Sequence, residues 1–308
     1  MPMPHRTQMQ LIKRRLVGKE GTQRTRELRA ILAELPDYKN GPYADIRKWV
    51  NAEIEATRSR AKVVGRDSVN VARQGSAQIA LVGPPNVGKS TLLQTLSDIQ
   101  IRTGDFAFTT TRPVGAVTRI EGVPIQLVEI PGLIEGAAQG RGGAKALLGV
   151  LRGCDAMVLC HAGTRPLTEL VVVRSELAEA GIHLPAVVAV TRADEADRLD
   201  LPAVREATGL AVVAVSVLDD DSLARFRTAV WELTGLIRVG LRQAGAEADS
   251  VMAFHPPVTV AEVADAIHHD LGRNCLGGRV WGTSAKFPGQ KVGREHQLSD
   301  GDEVEVLS

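Results

Sequence analysis

An octapeptide, Gly83-Pro-Pro-Asn-Val-Gly88-Lys89-Ser90, has the residue types and the spacing G-x-x-x-x-G-K-[ST] that bind phosphate. Its glycines permit backbone conformations in which successive N–H groups face an anion. The Lys89 ammonium can reach the β- and γ-phosphates of a nucleotide, and the Ser90 hydroxyl can join the shell of a Mg²⁺ ion. Because an apolar run precedes the octapeptide and a helix-like segment follows it, the sequence predicts a phosphate-binding loop rather than an ordinary turn.

The elements around this loop alternate between short Val-rich runs and helical segments. The apolar runs are 78–82, 124–130, 156–161, 186–191 and 211–215. Near-continuous hydrophobicity of this kind is typical of parallel strands that are covered on both faces. Helical segments lie between several of the runs, and the alternation predicts an α/β fold, a doubly wound P-loop NTPase sheet over residues 77–241.

The region before the sheet, residues 1–76, has the pattern of basic helices. Apolar residues recur with helical spacing in 28–35 and again in 46–54. Residues 1–77 carry 16 Lys or Arg against 8 Asp or Glu, a net charge of +8, and the rest of the chain carries −7. Such a basic arm often contacts nucleic acid, and a solvated helical face accounts for it equally well.

The region after the sheet predicts a third, small domain over residues 250–308, separated by a polar linker, 242–249. A helical stripe there begins at Thr259 and Glu262, which have the spacing of a capping box. Strand-like runs lie on both sides of it. We expect one helix packed against a small mixed sheet.

Composition excludes several classes of protein. No run approaches the roughly 18 consecutive apolar residues of a membrane helix, and the N-terminus lacks the pattern of a signal peptide. The three cysteines are scattered, which predicts buried core positions rather than a disulfide framework or a zinc site. We therefore expect a cytoplasmic protein with no membrane partner.

The residues downstream of the phosphate loop resemble the two switch regions of Obg-type GTPases. The resemblance lies in 106–115, with the sequence FAFTTTRPVG, in 125–132, and in 133–140, with the sequence LIEGAAQG. Within that superfamily the chain is most similar to the developmentally regulated GTP-binding proteins. Residues 279–286, 290–293 and 298–303 resemble their TGS domain. The family therefore implies N-terminal helices, a GTPase domain and a C-terminal TGS domain with a ubiquitin-like β-grasp fold.

The same resemblance implies the site residues. Lys89, Thr110 and Gly132 would form the catalytic set, in which Thr110 senses the γ-phosphate and Gly132 donates its N–H to it. Ser90 and Thr110 would bind Mg²⁺, with Glu129 in its outer shell. The implied nucleotide-binding residues are Asn86, Val87, Gly88, Lys89, Ser90, Thr91, Thr191, Arg192, Asp194, Ser216 and Val217.

Three positions depart from the family pattern. Glu129 stands where the family has Asp, and its added methylene predicts weaker Mg²⁺ binding and slow hydrolysis. In the base motif, normally Asn-Lys-x-Asp, Asp194 can still accept two hydrogen bonds from guanine and the Arg192 stem can cover the base. Thr191 replaces an Asn that normally connects this pocket to the phosphate loop. The third change, Ser216-Val217 for Ser-Ala, is mild.

A fourth feature concerns the attacking water. Leu133 stands where many GTPases place a Gln that orients this water. Related enzymes instead use a K⁺ ion beside the phosphates, and Asn86 is typical of several of them. A plain turn residue between Pro85 and Val87 is the other interpretation of Asn86.

These features together predict a slow GTPase that converts GTP to GDP and phosphate and acts as a nucleotide switch. The TGS resemblance implies binding to the ribosome or structured RNA, with a protein partner at that domain as a further option. Two alternatives stay open. An ATP-preferring Obg-type ATPase is disfavoured by Asp194, whereas a nucleotide-binding module with negligible hydrolysis is favoured by Glu129 and Thr191.

Overall fold

The computed structural model describes residues 5–19, 21–36, 41–59, 71–97, 113–131, 144–196, 199–243 and 245–308. Thr110, Gly132, Leu133 and most of the two switch-like segments lie outside the described residues. The chain divides into two compact units. One contains the N-terminal helices and most of the central sheet, and the other contains the residues from Val230 onward with the short segments 74–77 and 119–125.

The N-terminal arm, residues 5–59, consists of three helices: α1 (His5–Leu16), α2 (Gly21–Glu34) and α3 (Pro42–Ser59). Both predicted apolar stripes face inward, and together with residues of α1 they form a separate hydrophobic core. Burial of these side chains stabilises the arm as a small helical module. Its buried residues are Ile12, Leu16, Leu28, Ile31, Leu35, Ile46, Val50 and Ile54.

Six strands form the central sheet, and all five predicted apolar runs are among them. Their bounds are β1 (Ala77–Val82), β2 (Val114–Ile120), β3 (Val123–Glu129), β4 (Ala156–Ala162), β5 (Ala186–Thr191) and β6 (Ala211–Ala214). The strand order is β2-β3-β1-β4-β5-β6, with β1, β4, β5 and β6 paired in parallel. The carboxyl ends of these parallel strands therefore meet at one edge, where ligands bind in folds of this type.

Helices accompany the strands as the alternation predicted. Helices α5 and α7 and strand β2, all short elements, were not predicted from the sequence. The helices are α4 (Lys89–Leu96), α5 (Ala144–Arg152), α6 (Thr168–Glu179), α7 (Leu201–Thr208) and α8 (Asp220–Thr234).

The C-terminal unit contains a five-stranded sheet of order β11-β10-β13-β7-β8. Strands β13 and β7 pair in parallel, and the others are antiparallel. A helical segment covers one face of the sheet and buries Val260, Val263, Val280 and Val304, which is the β-grasp-like arrangement expected of a TGS domain. The elements are β7 (Ile237–Arg242), β8 (Ala248–Phe254), β9 (Val258–Thr259), α9 (Val260–Ile267), α10 (His269–Asn274), β10 (Gly277–Trp281), β11 (Gln290–Gly293), β12 (Gln297–Leu298) and β13 (Asp302–Leu307).

The structure differs from the sequence predictions at two points in this unit. Strand β7 belongs to the C-terminal sheet, so that sheet begins before the expected start of 250, and the expected linker 242–249 is the connection between β7 and β8. The expected single helix is divided at His268, whose backbone is extended. The capping box at its start is confirmed, because Thr259 and Glu262 exchange side-chain to backbone hydrogen bonds.

The cysteine prediction is confirmed, since all three cysteines are free and buried. Burial raises the pKa of the Cys160 thiol to about 12 and that of the Cys154 thiol to about 11. Both therefore remain neutral core residues at ordinary pH. Separately, none of the helices in the described part of the chain combines the length and apolarity that crossing a bilayer requires.

Candidate nucleotide-binding site

The phosphate loop connects the carboxyl end of β1 to the first turn of α4. Its backbone enters the left-handed region at Asn86 (φ 63°) and at Gly88 (φ 88°), conformations that Asn and Gly adopt at little cost. A Cβ atom on Gly83 would lie 2.2 Å from the Cys160 carbonyl oxygen, so the loop passes β4 at a distance that only glycine allows. The φ of Asn86 agrees with its interpretation as a turn residue.

Lys89 closes this loop from within. Its side chain is buried, with 5% of the residue exposed. The ammonium Nζ donates to the Gly83 carbonyl at 2.9 Å and to the Pro84 carbonyl at 2.7 Å. Burial lowers the pKa of Lys89 from its ordinary value, and the nearby Glu129 carboxylate opposes this shift only partly. Since an ammonium has three N–H groups, one N–H is available for an anion that would compensate for the burial.

Ser90 and Glu129 come together as predicted, although 39 residues separate them in sequence. The Ser90 Oγ donates to the Glu129 Oε1 at 2.6 Å, and Glu129 is buried at the end of β3. A hydroxyl that donates its proton in this way keeps its lone pairs for a cation. Hydroxyl and carboxylate oxygens are the ligands that Mg²⁺ prefers, so this donor set fits the metal.

Thr191, at the end of β5, connects the predicted base-recognition segment to the phosphate loop. Its Oγ1 donates to the Val87 carbonyl at 2.5 Å and lies 3.1 Å from the His161 carbonyl. Thr191 itself is buried. The substitution of Thr for Asn at this position therefore retains a direct contact between the two segments.

The rest of the base motif follows β5 as a short loop. Arg192 has a left-handed backbone (φ 52°) and lies 3.7 Å from a carboxylate oxygen of Glu195. Asp194 has 27% of its side chain exposed, less than the 44% of Arg192. The Ala193 N–H donates to the Val215 carbonyl at 3.3 Å, which brings the two predicted base-side segments together.

The second base-side segment begins immediately after Val215. Ser216 is buried, and its Oγ accepts a hydrogen bond from the Leu218 N–H at 3.1 Å. Its N–H donates to the Ser222 Oγ at 3.0 Å, which fixes the turn into α8. Val217 is half-buried beside it. The described nucleotide-binding candidates thus lie at the carboxyl edge of the sheet, in the adjoining loops, in the first turn of α4 and at the end of β5.

Two contacts at this edge had no sequence signal. Arg165 follows β4, and its Nη1 donates to the Pro85 carbonyl of the phosphate loop at 3.1 Å. Arg14, on helix α1, lies 3.8 Å from a carboxylate oxygen of Asp194. Neither residue belongs to a motif, and only the tertiary structure brings them to the site.

Comparisons with known proteins agree with this geometry. Residues 78–192 match the family model described as 50S ribosome-binding GTPase, and residues 237–308 match the TGS domain model. An uncharacterised GTP-binding protein of Methanocaldococcus jannaschii is 28% identical over 82% of this chain and 83% of its own length. Developmentally regulated G-protein 3 of Arabidopsis thaliana is 25% identical over 78% and 84%.

Further similarities extend this comparison. Developmentally regulated GTP-binding protein 1 of Xenopus laevis is 25% identical over 78% of this chain and 85% of its own. A solved GTP-binding protein of Sulfolobus solfataricus in complex with GDP is 18% identical, with a TM-score of 0.42, and covers 75% of this chain and 65% of its own.

A phosphate loop between β1 and α4 of such a sheet, within a region that matches a GTPase model, defines a P-loop GTPase. Its curated relatives and its C-terminal TGS domain narrow the kind of GTPase further. The chain is a GTP-binding protein with a C-terminal TGS domain, and over most of its length it is similar to developmentally regulated GTP-binding proteins. GTPases of this kind generally use Mg²⁺.

Proposed function

We propose that this GTPase binds guanine nucleotides between its phosphate loop and the segment Thr191–Asp194, hydrolyses GTP slowly and acts as a nucleotide switch. The hydrogen bond from the Thr191 hydroxyl to the Val87 carbonyl carries the proposal. It joins the loop suited to phosphates directly to the segment suited to a base. A nucleotide has its phosphates and its base at opposite ends, so a site for both ends must hold two such segments at a fixed spacing.

Asp194 is the residue that selects the base in this proposal. Guanine presents its N1–H and 2-amino groups as two adjacent donors, which one carboxylate can accept together. Adenine has an acceptor at N1, so the same carboxylate would face an unpaired lone pair. A site built around a carboxylate therefore rejects the base that lacks the matching donors. The stem of Arg192 would cover the base, beside Ser216 and Val217.

Ser90, Glu129 and Thr110 would hold Mg²⁺ in the proposed site. The bound metal supplies positive charge that stabilises the charge developing on the transferred phosphoryl group. The Glu129 carboxylate reaches the Ser90 hydroxyl in spite of its extra methylene, so Glu129 retains the contact that an outer-shell ligand needs. Its longer side chain fits the strict octahedral geometry of Mg²⁺ less well than Asp would, which supports slow turnover. K⁺ beside Asn86 stays part of the proposal.

The C-terminal domain is the surface that we assign to ribosomal or other structured RNA. Lys286, Phe287 and Lys291 are exposed there, and Phe287 has 60% of its surface free. Exposed cations beside an exposed aromatic ring suit a backbone of phosphates and unstacked bases. The description of the matched GTPase model supports the same partner. A protein partner at this domain is the second candidate.

The arm is less suited to RNA than its net charge suggests. Lys13 and Arg14 lie beside the carboxylates of Asp220 and Asp194, within the same compact unit. Arg15, Lys19 and Arg24 pair with glutamates of the arm itself. The glutamates of the arm are already counted in its net charge of +8, so it is the contacts of Lys13 and Arg14 with carboxylates outside the arm that neutralise part of that charge.

Phosphate release under multiple turnover, from GTP and from ATP, tests the proposed reaction. We expect release from GTP to exceed release from ATP, and Glu129→Asp to raise the GTP rate because it restores the shorter carboxylate. Lys89→Ala is the control for contaminating activity. Faster release from ATP would favour the ATPase alternative. No release from GTP by the parent or by Glu129→Asp would favour a nucleotide-binding module with negligible hydrolysis. Equal GTP rates in K⁺ and Na⁺ salts would remove the K⁺ proposal.

A further inference from the structure

Helix α1 brings a guanidinium to the carboxylate that the proposed function assigns to guanine. Arg14 Nη2 lies 3.8 Å from Asp194 Oδ2, and the Arg14 side chain is 60% exposed. We propose that Arg14 competes with guanine for Asp194, so that the N-terminal arm holds the base site in a blocked form until a guanine nucleotide displaces it. This inference rests on the proposed function, because it requires that Asp194 reads guanine.

The chemistry of the two groups supports competition. A guanidinium presents parallel N–H donors in a plane, and the N1–H and 2-amino edge of guanine presents the same arrangement to a carboxylate. One carboxylate cannot give its full acceptor capacity to both donors in the same geometry. Arg14 therefore offers Asp194 the same kind of donors that the base would offer, at a distance of 3.8 Å.

A second contact holds α1 at this place. Lys13 Nζ lies 2.6 Å from Asp220 Oδ2, and only 11% of the Lys13 side chain is exposed. The same ammonium lies 6.0 Å from the centre of the Trp49 ring of α3, within the range of a cation–π contact. Lys13 thus fixes the helix and places the neighbouring Arg14 beside Asp194.

The arm nevertheless packs mainly on itself. It has its own hydrophobic core, and its helices contact one another more extensively than any of them contacts an element of the described GTPase sheet and helices. A cavity of about 230 Å³ lies beside their contacts, lined by Lys13 and Trp49 from the arm and by Thr91, Val217 and Asp220 from the GTPase region. An interface with few contacts and a cavity can open without unfolding either side.

Thermodynamic linkage gives the consequence. Suppose that the arm docks on the GTPase region more tightly when the base site is empty. A bound guanine nucleotide must then weaken docking of the arm by the same factor by which docking weakens binding of the nucleotide. Exposed ion pairs limit the size of this effect to roughly 2- to 5-fold. Binding of nucleotides and anions that do not contact Asp194 is not weakened by the docked arm.

Calorimetric titration of the full chain with GDP and with inorganic pyrophosphate tests the competition. We expect Arg14→Ala to tighten GDP binding about 2- to 5-fold and to leave pyrophosphate binding unchanged. Arg29→Ala removes the same charge from an exposed position on α2 and is the matched control. Asp194→Ala completes a double-mutant cycle, and in that background Arg14→Ala should have no effect on GDP.

The outcomes separate this inference from the proposed function. If Asp194→Ala leaves GDP affinity unchanged, the guanine assignment is wrong and the inference fails with it. If Asp194→Ala weakens GDP but Arg14→Ala binds it no more tightly than the parent, the competition alone is overturned. A gain for GDP and pyrophosphate alike would also overturn it, since the effect would then not involve the base.

Discussion

The Lys89 ammonium is buried and donates to two carbonyl oxygens of the loop that it closes. Phosphate oxygens would give it a charge-assisted partner in place of lost water. We expect Lys89→Ala to weaken GDP and GTP binding by about 1.5–3 kcal/mol, or roughly 10- to 150-fold. Calorimetry of the purified variant measures this loss directly.

The control for this variant is the fold of the rest of the chain. The circular dichroism spectrum should be unchanged, because the helices and strands do not depend on the Lys89 side chain. Equal affinity of Lys89→Ala and the parent for both nucleotides would show that the phosphates bind elsewhere.

At this scale the sequence motifs indicated where part of the candidate site lies. The octapeptide motif located Lys89 and Ser90, and the family resemblance placed Glu129 beside Ser90, as the structure has it. Arg14 and Arg165 could not be anticipated, because each reaches the site from a distant element through a contact that leaves no periodic pattern.

At the scale of elements, β5 and the phosphate loop depend on one buried hydroxyl. Thr191→Val keeps the shape of the side chain and removes the donor to the Val87 carbonyl. An unsatisfied buried carbonyl costs about 1–3 kcal/mol. We expect the variant to unfold at lower denaturant concentration and to bind GDP more weakly, as measured by chemical denaturation and calorimetry.

Thr191→Ser is the matched control, because it retains the hydroxyl and loses only a methyl group. We expect it to bind GDP nearly as well as the parent. A loss in the Ser variant with none in the Val variant would mean that packing of the methyl group, rather than the hydrogen bond to the loop, holds the two segments together.

Buried strands were the most predictable elements, since a near-continuous apolar run as short as Ala186–Thr191 is typical of a strand covered on both faces. Strand β7 was not predicted from the sequence, and residues 237–241 were assigned to the GTPase domain. It pairs with β8 and, much later in the chain, with β13, so the sheet to which it belongs is revealed by these pairings rather than by its own sequence. Local patterns predict that a strand exists, whereas its partner is a tertiary property.

At the scale of the whole molecule, the distribution of exposed cations predicts where RNA binds. Lys286→Ala together with Lys291→Ala should lower affinity for ribosomal particles and reduce the salt dependence, since each phosphate contact releases counterions. Sedimentation over a series of salt concentrations measures both quantities. Binding should be stronger with a non-hydrolysable GTP analogue than with GDP, because only contacts that differ between the two states can shift affinity.

Arg26→Ala together with Arg29→Ala removes the same charge from α2 of the arm. We expect this control to bind ribosomal particles as the parent does. Loss of binding in the control alone would move the RNA contact to the arm, and no sedimentation of any protein at low salt would remove RNA from the account.

The most direct test of the central claim is the base preference of the Asp194→Asn variant, measured by calorimetry with GDP and xanthosine diphosphate. The parent should prefer GDP, because its carboxylate matches the two donors of guanine. Asp194→Asn should prefer xanthosine diphosphate, whose 2-oxo group accepts from the new amide. An unchanged preference for GDP in the variant would contradict the claim that Asp194 of this GTPase reads the base.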